Sequence, residues 1–386
     1  MSGVVLISTA EFALKSQPVR RLLVRLLKRH IRINLKRIGR ENCKITQAGG
    51  FLIVAGAEGA EEAAKKLAQV FGVAHADVCQ RTALDLEEIA ESAVRLAEQE
   101  LKSVDTFAIR ARNFEPSQIK GKAIEVRVGA EVLSRLPSGL KVNLSNPDRT
   151  VRIFYGAREA FVSSVRFDGP GGLPVGSQGS LLGLADDPAL SPLAFYLLMK
   201  RGAIVWPVIA APSLSAGAVG LDQILKGLKT LRQYVPKNTY SARLITFDEA
   251  TRKALAGVGP DVRRVFIVRL LFRAVKHIGR NPLGLVTADR FGKDGIESLK
   301  DLRAAYEVAT FPVYRPLLTL DERDLRQQLE ELGLSQPETK KSATQPPSGG
   351  YEAFIDEVRT LENRLKAEEL AQKIAVGSKK IQIDFP

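Results

Sequence analysis

The sequence predicts an α/β and α+β multidomain protein: a small ferredoxin-like unit, a second α/β unit, and then a unit built on a doubly wound parallel sheet. Three observations carry this expectation. The first 75 residues follow a β-α-β-β-α-β order, a glycine- and proline-rich break lies near residue 170, and beyond it short apolar runs alternate with amphipathic segments. The length of 386 residues agrees, being two to three times the usual domain length of about 150.

In the first unit, residues 1–75, the expected elements are a strand at 4–8, a helix at 18–38, strands at 42–47 and 50–55, a helix at 60–70 and a strand opening at Gly72 and Val73. The second unit, 76–168, opens with an amphipathic helix over 85–102, where Leu86, Ile89, Ala90, Ala93, Val94 and Ala97 recur at helical spacing behind an acidic first turn. Strands follow at 106–110, 151–153 and 159–165, with a helix at 122–136 that stops before Pro137, Ser138 and Gly139. Residues 169–179 are the linker, because the glycines and prolines there cannot continue a helix or a central strand. Over 180–335 the alternation reads 181–184, 192–201, 204–209, 222–235, 242–246, 262–278, 284–287, 296–307, 313–318 and 322–332. Residues 336–350 form a polar linker, and a charged helix at 354–374 and a strand at 380–384 complete a last segment, 336–386.

Charge narrows the function. With 57 Lys+Arg against 43 Asp+Glu the net charge is +14 and the pI about 9.7, which suits a polyanionic partner. The excess is local: residues 1–50 carry 11 basic and 2 acidic side chains, whereas residues 51–100 carry 4 and 10. No carboxylate occurs from Leu14 to Arg40, and helical wrapping there separates an apolar stripe from a cationic one. A second excess, 11 basic to 4 acidic, occupies residues 251–300. No apolar run is long enough to span a bilayer and the start lacks a basic, cleavable leader, so a cytoplasmic protein without membrane contact is expected. Cys43 and Cys79 form no CxxC and His30, His75 and His277 are scattered, so no metal site is expected.

The break reads Gly169-Pro170-Gly171-Gly172-Leu173-Pro174-Val175-Gly176, and this string resembles the linker of the tRNA 4-thiouridine synthetase family, sulfurtransferases that also serve thiamine biosynthesis. Similar likenesses lie at Glu11 to Lys15, at the turn Asn143 to Asp148, at Ser191 to Gly202, at Leu285 to Thr287 and at Phe311 to Leu318. The resemblance implies a ferredoxin-like domain, a THUMP domain that helps it grip tRNA, and a PP-loop domain of the adenine nucleotide alpha hydrolase-like kind. Lys15, Arg20 and Arg21 in the first domain and Arg110, Arg112, Lys120, Lys122 and Lys141 in the second are then the expected phosphate contacts.

For chemistry the resemblance breaks down. The family loop Ser-Gly-Gly-x-Asp-Ser cradles the ATP pyrophosphate with backbone N–H groups at a helix N-terminus. The aligned residues here are Asp186-Asp187-Pro188-Ala189-Leu190-Ser191. Both glycines are gone, two carboxylates face the phosphate position, and Pro188 removes a donor. Asp186 and Asp187 could instead hold magnesium. Ser191 is expected as N-cap, with Pro192 at the first helical position and Gly202 past the last turn. The later family motif Thr-Gly-Glu/Asp-Ser-Leu-Gly survives over 287–298 only as Thr287, Asp289 and one glycine. No cysteine follows Cys79, so a thiolate for sulfur transfer is missing from the last domain.

The resulting expectation is a tRNA-binding protein with no catalytic residue, no metal and no cofactor of its own. The alternative is an active ATP-dependent tRNA uridine 4-sulfurtransferase, with Mg-ATP in a variant loop and an external sulfur carrier. A protein partner or a homodimer is also open, with Arg263, Arg264, Arg269, Arg273, Lys276 and Arg280 as a basic surface for another protein.

Overall fold

The computed structural model describes residues 3–101, 106–136, 139–210, 220–237, 239–278, 282–290, 299–335 and 350–384. The chain divides into two compact units, Met1–Pro174 and Val175–Pro386.

The first unit follows β1 (Gly3–Thr9), α1 (Gln17–Arg37), β2 (Lys44–Ala48), β3 (Phe51–Ala57), α2 (Ala60–Ala68), β4 (Val73–Ala83), α3 (Leu86–Glu100), β5 (Thr106–Asn113), α4 (Gly121–Arg135), β6 (Lys141–Val142), β7 (Arg149–Tyr155) and β8 (Glu159–Asp168). Sequence patterning anticipates all of these except β6, whose two residues carry no periodic signal. Helix α1 follows Ser16 with Pro18 in its first turn; it buries Leu23, Leu27, Ile31 and Leu35 and leaves its arginines outward. Helix α3 is capped by Asp85, whose carboxylate accepts from the N–H groups of Glu87 and Glu88 at 2.9 and 3.0 Å.

The pairing was not readable in the sequence. All eight strands form one sheet in the order β2-β3-β1-β4-β8-β7-β5-β6, joined at its centre by the antiparallel β4–β8 ladder from His75↔Asp168 to Ala83↔Glu159. Strand β4 therefore runs straight through residue 75, where the first two domains were expected to meet. Asp77, fully buried on this ladder, is held by the Arg166 guanidinium at 2.9 and 3.1 Å, which satisfies a charge that would otherwise be costly to bury. The sheet folds over on itself: Phe51 of β3 meets Phe154 of β7 with ring centroids 5.3 Å apart, although three strands separate them in the sheet.

After β8 the chain turns along β4, with Gly169 and Gly171 donating to the carbonyls of Ala74 and Val73. Gly171 and Gly172 adopt φ of 67° and 71°, a backbone region that side chains disfavour, so this turn requires glycine. Leu173 is then buried in the core beside Val73 and Ala76.

The second unit follows β9 (Ser180–Ala185), α5 (Leu190–Lys200), β10 (Ile204–Ala210), α6 (Leu221–Lys229), β11 (Ser241–Ile245), α7 (Glu249–Ala256), α8 (Pro260–Val275), β12 (Leu285–Val286), α9 (Leu299–Tyr306), β13 (Val313–Tyr314), α10 (Glu322–Glu331), α11 (Gly350–Arg364), α12 (Ala367–Val376) and β14 (Lys379–Gln382). The sheet order is β13-β12-β9-β10-β11-β14, parallel except for β14, which runs antiparallel to β11. The expected doubly wound parallel sheet thus carries one antiparallel edge strand. Residues 354–374 form two helices rather than the expected one, divided at Lys366, whose φ is 47°. Short, polar α7 was not anticipated; Asp248 caps it by accepting from the Thr251 N–H at 2.9 Å. Residues 336–349 and 291–298, read as linker and as part of the later motif and its helix, lie outside the described residues.

Candidate nucleic-acid interface and nucleotide crevice

All eight expected phosphate contacts are exposed. Lys15, Arg20 and Arg21 sit at the entrance to α1, whose first turn holds no acidic residue. Arg110 and Arg112 leave the second half of β5, and Lys120 and Lys122 flank the start of α4. The segments that lead into α1 and α4 both meet the turn between β2 and β3. Thr9, at the end of β1, donates its hydroxyl to Gly50 O at 3.2 Å, and a Cβ on Gly49 would lie 2.1 Å from Phe114 O. The Arg112 guanidinium sits 5.3 Å above the Phe51 ring. Lys141 lies apart from Lys120 and Lys122, since it pairs with Thr106 at the opposite end of β5. Arg110 donates to Leu144 O, which ties β5 to the turn at 143–148, and Asn143 Oδ1 stabilises that turn by accepting from the N–H groups of Ser145 and Asn146.

In the second unit, strand order reverses between β9 and β12, so the crevice outside their carboxyl ends is where an open α/β sheet binds ligands. Parallel register places Leu285 beside Leu182 and Val286 beside Gly183. The loop Asp186 to Ala189 and the segment Thr287 to Arg290 therefore leave the sheet side by side.

The loop is closed by its own side chains. Helix α5 starts at Leu190, ahead of the expected Ser191 cap, and the donors at its start are taken by Asp187. Asp187 Oδ1 accepts from the Ala189 N–H at 2.8 Å and the Leu190 N–H at 2.7 Å. Ser191, fully buried, accepts from the Asp186 and Asp187 N–H groups at 3.2 and 3.1 Å and donates to Asp186 Oδ1 at 3.0 Å. Its retention is explained by this turn, although not by the role expected of it. Pro188 packs on α6 so closely that a Cβ on Gly227 would lie 1.8 Å from Pro188 O. Beneath the helix, a Cβ on Gly183 would meet the Phe195 ring at 2.4 Å, so that glycine allows α5 to sit down on β9.

Beside the loop, Asp289 accepts from the Thr287 hydroxyl at 2.7 Å and from the Tyr306 hydroxyl, with Arg315 Nε 3.6 Å away. Burial, then the Asp289 charge, push the Tyr306 phenol well above its ordinary pKa and keep it a donor. The Arg315 guanidinium stacks 4.1 Å over the Tyr306 ring, and Arg290 pairs with Glu322 at 2.6 Å. Among the described residues no group of three or more His, Cys, Asp or Glu could hold a metal.

An ATP pyrophosphate needs several backbone N–H groups aimed at it from this loop. Here the Asp186, Asp187, Ala189 and Leu190 N–H groups already have acceptors, one of them a carboxylate, and Pro188 has none to give. The residues present do not fit the phosphates. Nor do the thiols suit sulfur transfer: Cys43 and Cys79 lie in the first unit, and burial pushes both up from the ordinary thiol value, Cys79 strongly.

The basic surface expected for another protein is corrected on α8. Arg269 is 2% exposed and paired with Glu362 at 2.8 and 2.9 Å and with Glu307 at 2.8 Å, and Arg273 reaches Glu362 at 2.6 Å. These arginines fasten α8 to α9 and α11. Lys276 lies 4.0 Å from Glu368, while Arg280 and the Arg264 side chain lie outside the described residues.

Comparison with known proteins accounts for this order of domains. Family models match for the ThiI ferredoxin-like domain over residues 4–76, the THUMP domain over 83–165 and the thiamine biosynthesis protein (ThiI) over 176–346. The chain is 25% identical over 375 residues to a probable tRNA sulfurtransferase of Methanocaldococcus jannaschii, covering 94% of this chain and 97% of that protein. It is 26% identical over 347 residues to one of Thermococcus kodakarensis, covering 86% and 88%. The fold matches a crystal structure of a 4-thiouridine synthetase–RNA complex with bound ATP, with TM-score 0.80 and 19% identity over the whole of both chains. No helix among the described residues is long and apolar enough to cross a membrane. With ferredoxin-like, THUMP and PP-loop domains in succession, the chain belongs to the tRNA 4-thiouridine synthetase and thiamine-biosynthesis sulfurtransferase family, with an altered pyrophosphate loop.

Proposed function

We propose that this protein binds tRNA through its first unit and serves the formation of 4-thiouridine in that tRNA. The observation that carries the reading is the pair of exposed cationic groups at the start of α1 and around the start of α4, carried by one sheet in which the segments leading to both helices meet the β2–β3 turn. The relatives named as probable tRNA sulfurtransferases, and the likeness in fold to a 4-thiouridine synthetase bound to RNA, support both the partner and the modification. Protein partners and the domain limits 1–75, 76–168, 169–179, 180–335 and 336–386 remain part of this proposal.

The relatives favour a chain that itself acts as an ATP-dependent tRNA uridine 4-sulfurtransferase, drawing sulfur from an external carrier because its own cysteines lie in the first unit. The closed loop at Asp186 to Ser191 favours a second reading, in which the chain presents tRNA and does not adenylate it. Purified protein, tRNA and Mg-ATP decide between them. Pyrophosphate released only when tRNA is present supports the enzyme, and none above background supports the tRNA-binding protein. Failure to bind tRNA at low salt overturns both.

A further inference from the structure

The loop between β9 and α5 holds the decisive disagreement with the family, and the inference drawn from it rests on the membership and tRNA reading above. Asp187 places a carboxylate oxygen 2.8 and 2.7 Å from the Ala189 and Leu190 nitrogens, at the start of an 11-residue helix. Helix starts attract anions because their N–H groups lack intrahelical acceptors and the helix dipole points the same way. In this chain the anion is covalently attached. Ser191 takes the two preceding N–H groups, and Pro188, with no N–H, is wedged against Gly227 of α6.

We propose that Asp187 is an internal anion that substitutes for phosphate in this loop, so that the loop is a structural cap and excludes the phosphates of ATP. A phosphate entering it must break two hydrogen bonds to Asp187, approach the displaced carboxylate, and do so at a turn that Pro188 and Gly227 keep from opening. Each requirement opposes binding, and Asp187 sets two of them. Asp187 is thus a specificity-determining residue acting by exclusion.

The test uses the full chain and two probes, inorganic pyrophosphate and Mg-ATP, titrated by calorimetry without tRNA. Asp187→Asn keeps an acceptor oxygen for both amides and removes the charge, whereas Asp187→Gly with Pro188→Gly frees the donors and the turn. The unaltered protein should give no saturable heat at millimolar probe. The Asn variant should gain measurable affinity, and the double variant should bind at least tenfold more tightly than the detection limit of the unaltered protein. Hydrogen exchange of the peptide spanning residues 186–192 covers the case of a double variant that fails to fold: ATP should leave its protection unchanged in the unaltered protein and raise it in the Asn variant. Saturable pyrophosphate or ATP binding by the unaltered protein overturns the proposal, as does the absence of any gain in a folded variant. Binding of tRNA, measured separately, should be the same in all three proteins; its loss everywhere would count against the functional reading and not against this one.

Discussion

Replacing Arg20, Arg21, Lys120 and Lys122 together by alanine should change how tRNA binding depends on salt more than it changes the fold, because all four side chains are exposed. If each of the eight exposed cations neutralises one phosphate, the slope of log K against log salt is about −7 for duplex contacts and nearer −6 for single strands. Between about 50 and 200 mM salt, that slope lowers affinity by roughly 10⁴-fold. Four remaining contacts bring the slope to about −4, so the loss over the same range shrinks to a few hundredfold. Fluorescence anisotropy of labelled tRNA at several salt concentrations measures both slopes. The control is Lys253→Ala, an exposed lysine in the second unit that pairs with Glu249 at 2.8 Å. A slope that is the same in the fourfold variant and in the unaltered protein would refute the reasoning, as would an equal change in the control.

Three further outcomes are expected. Glu362→Ala leaves Arg269 buried without its bidentate partner and should destabilise the second unit by about 3–5 kcal/mol, read as an early calorimetric transition. His30 is 5% exposed, and burial first, then Arg29 and Arg37, lower its pKa from 6.5 to about 4. The unfolded chain therefore takes up the proton more readily, so stability is full above about pH 6.5 and is lost as pH falls toward 4. The shift is worth at most about 3–4 kcal/mol at about 1.4 kcal/mol per unit; urea midpoints of the His30→Leu variant should fall less between pH 7.5 and 4.5 than those of the unaltered protein. Gly227→Ala forces a methyl against Pro188 O and should cost about 1–3 kcal/mol in a thermal melt; no loss would mean that α6 and the loop are free to part.

The elements were largely legible because their signals are local: Leu23, Leu27, Ile31 and Leu35 recur on one helix face, and Gly171 and Gly172 break the chain where φ turns positive. Long-range partnerships leave no such mark. The β4–β8 ladder joins residues up to 93 positions apart, and Arg269 looks like a solvent-facing charge until Glu362, also 93 positions away, is placed beside it. The loop lies between these cases. Asp187 and Ser191 are both capping residue types, and Pro192 pointed to Ser191; the backbone instead starts one residue before Ser191, which leaves Asp187 to receive the first free amides. That the eight cations expected to meet phosphate lie on the surface could be anticipated from charge, but the separation of Lys141 from Lys120 and Lys122 follows only from strand pairing.

The ladder between β4 and β8, which runs from His75 to Ala83 with one register shift between Val78 and Cys79, joins the two halves of the first unit through shared strands and not through a hinge. The cationic groups at the starts of α1 and α4 are therefore carried by one eight-stranded sheet. On the tRNA reading, the distance between the two groups is set by strand pairing and not by the run of a linker. An insertion within the ladder would then change that distance while leaving every cationic side chain in place.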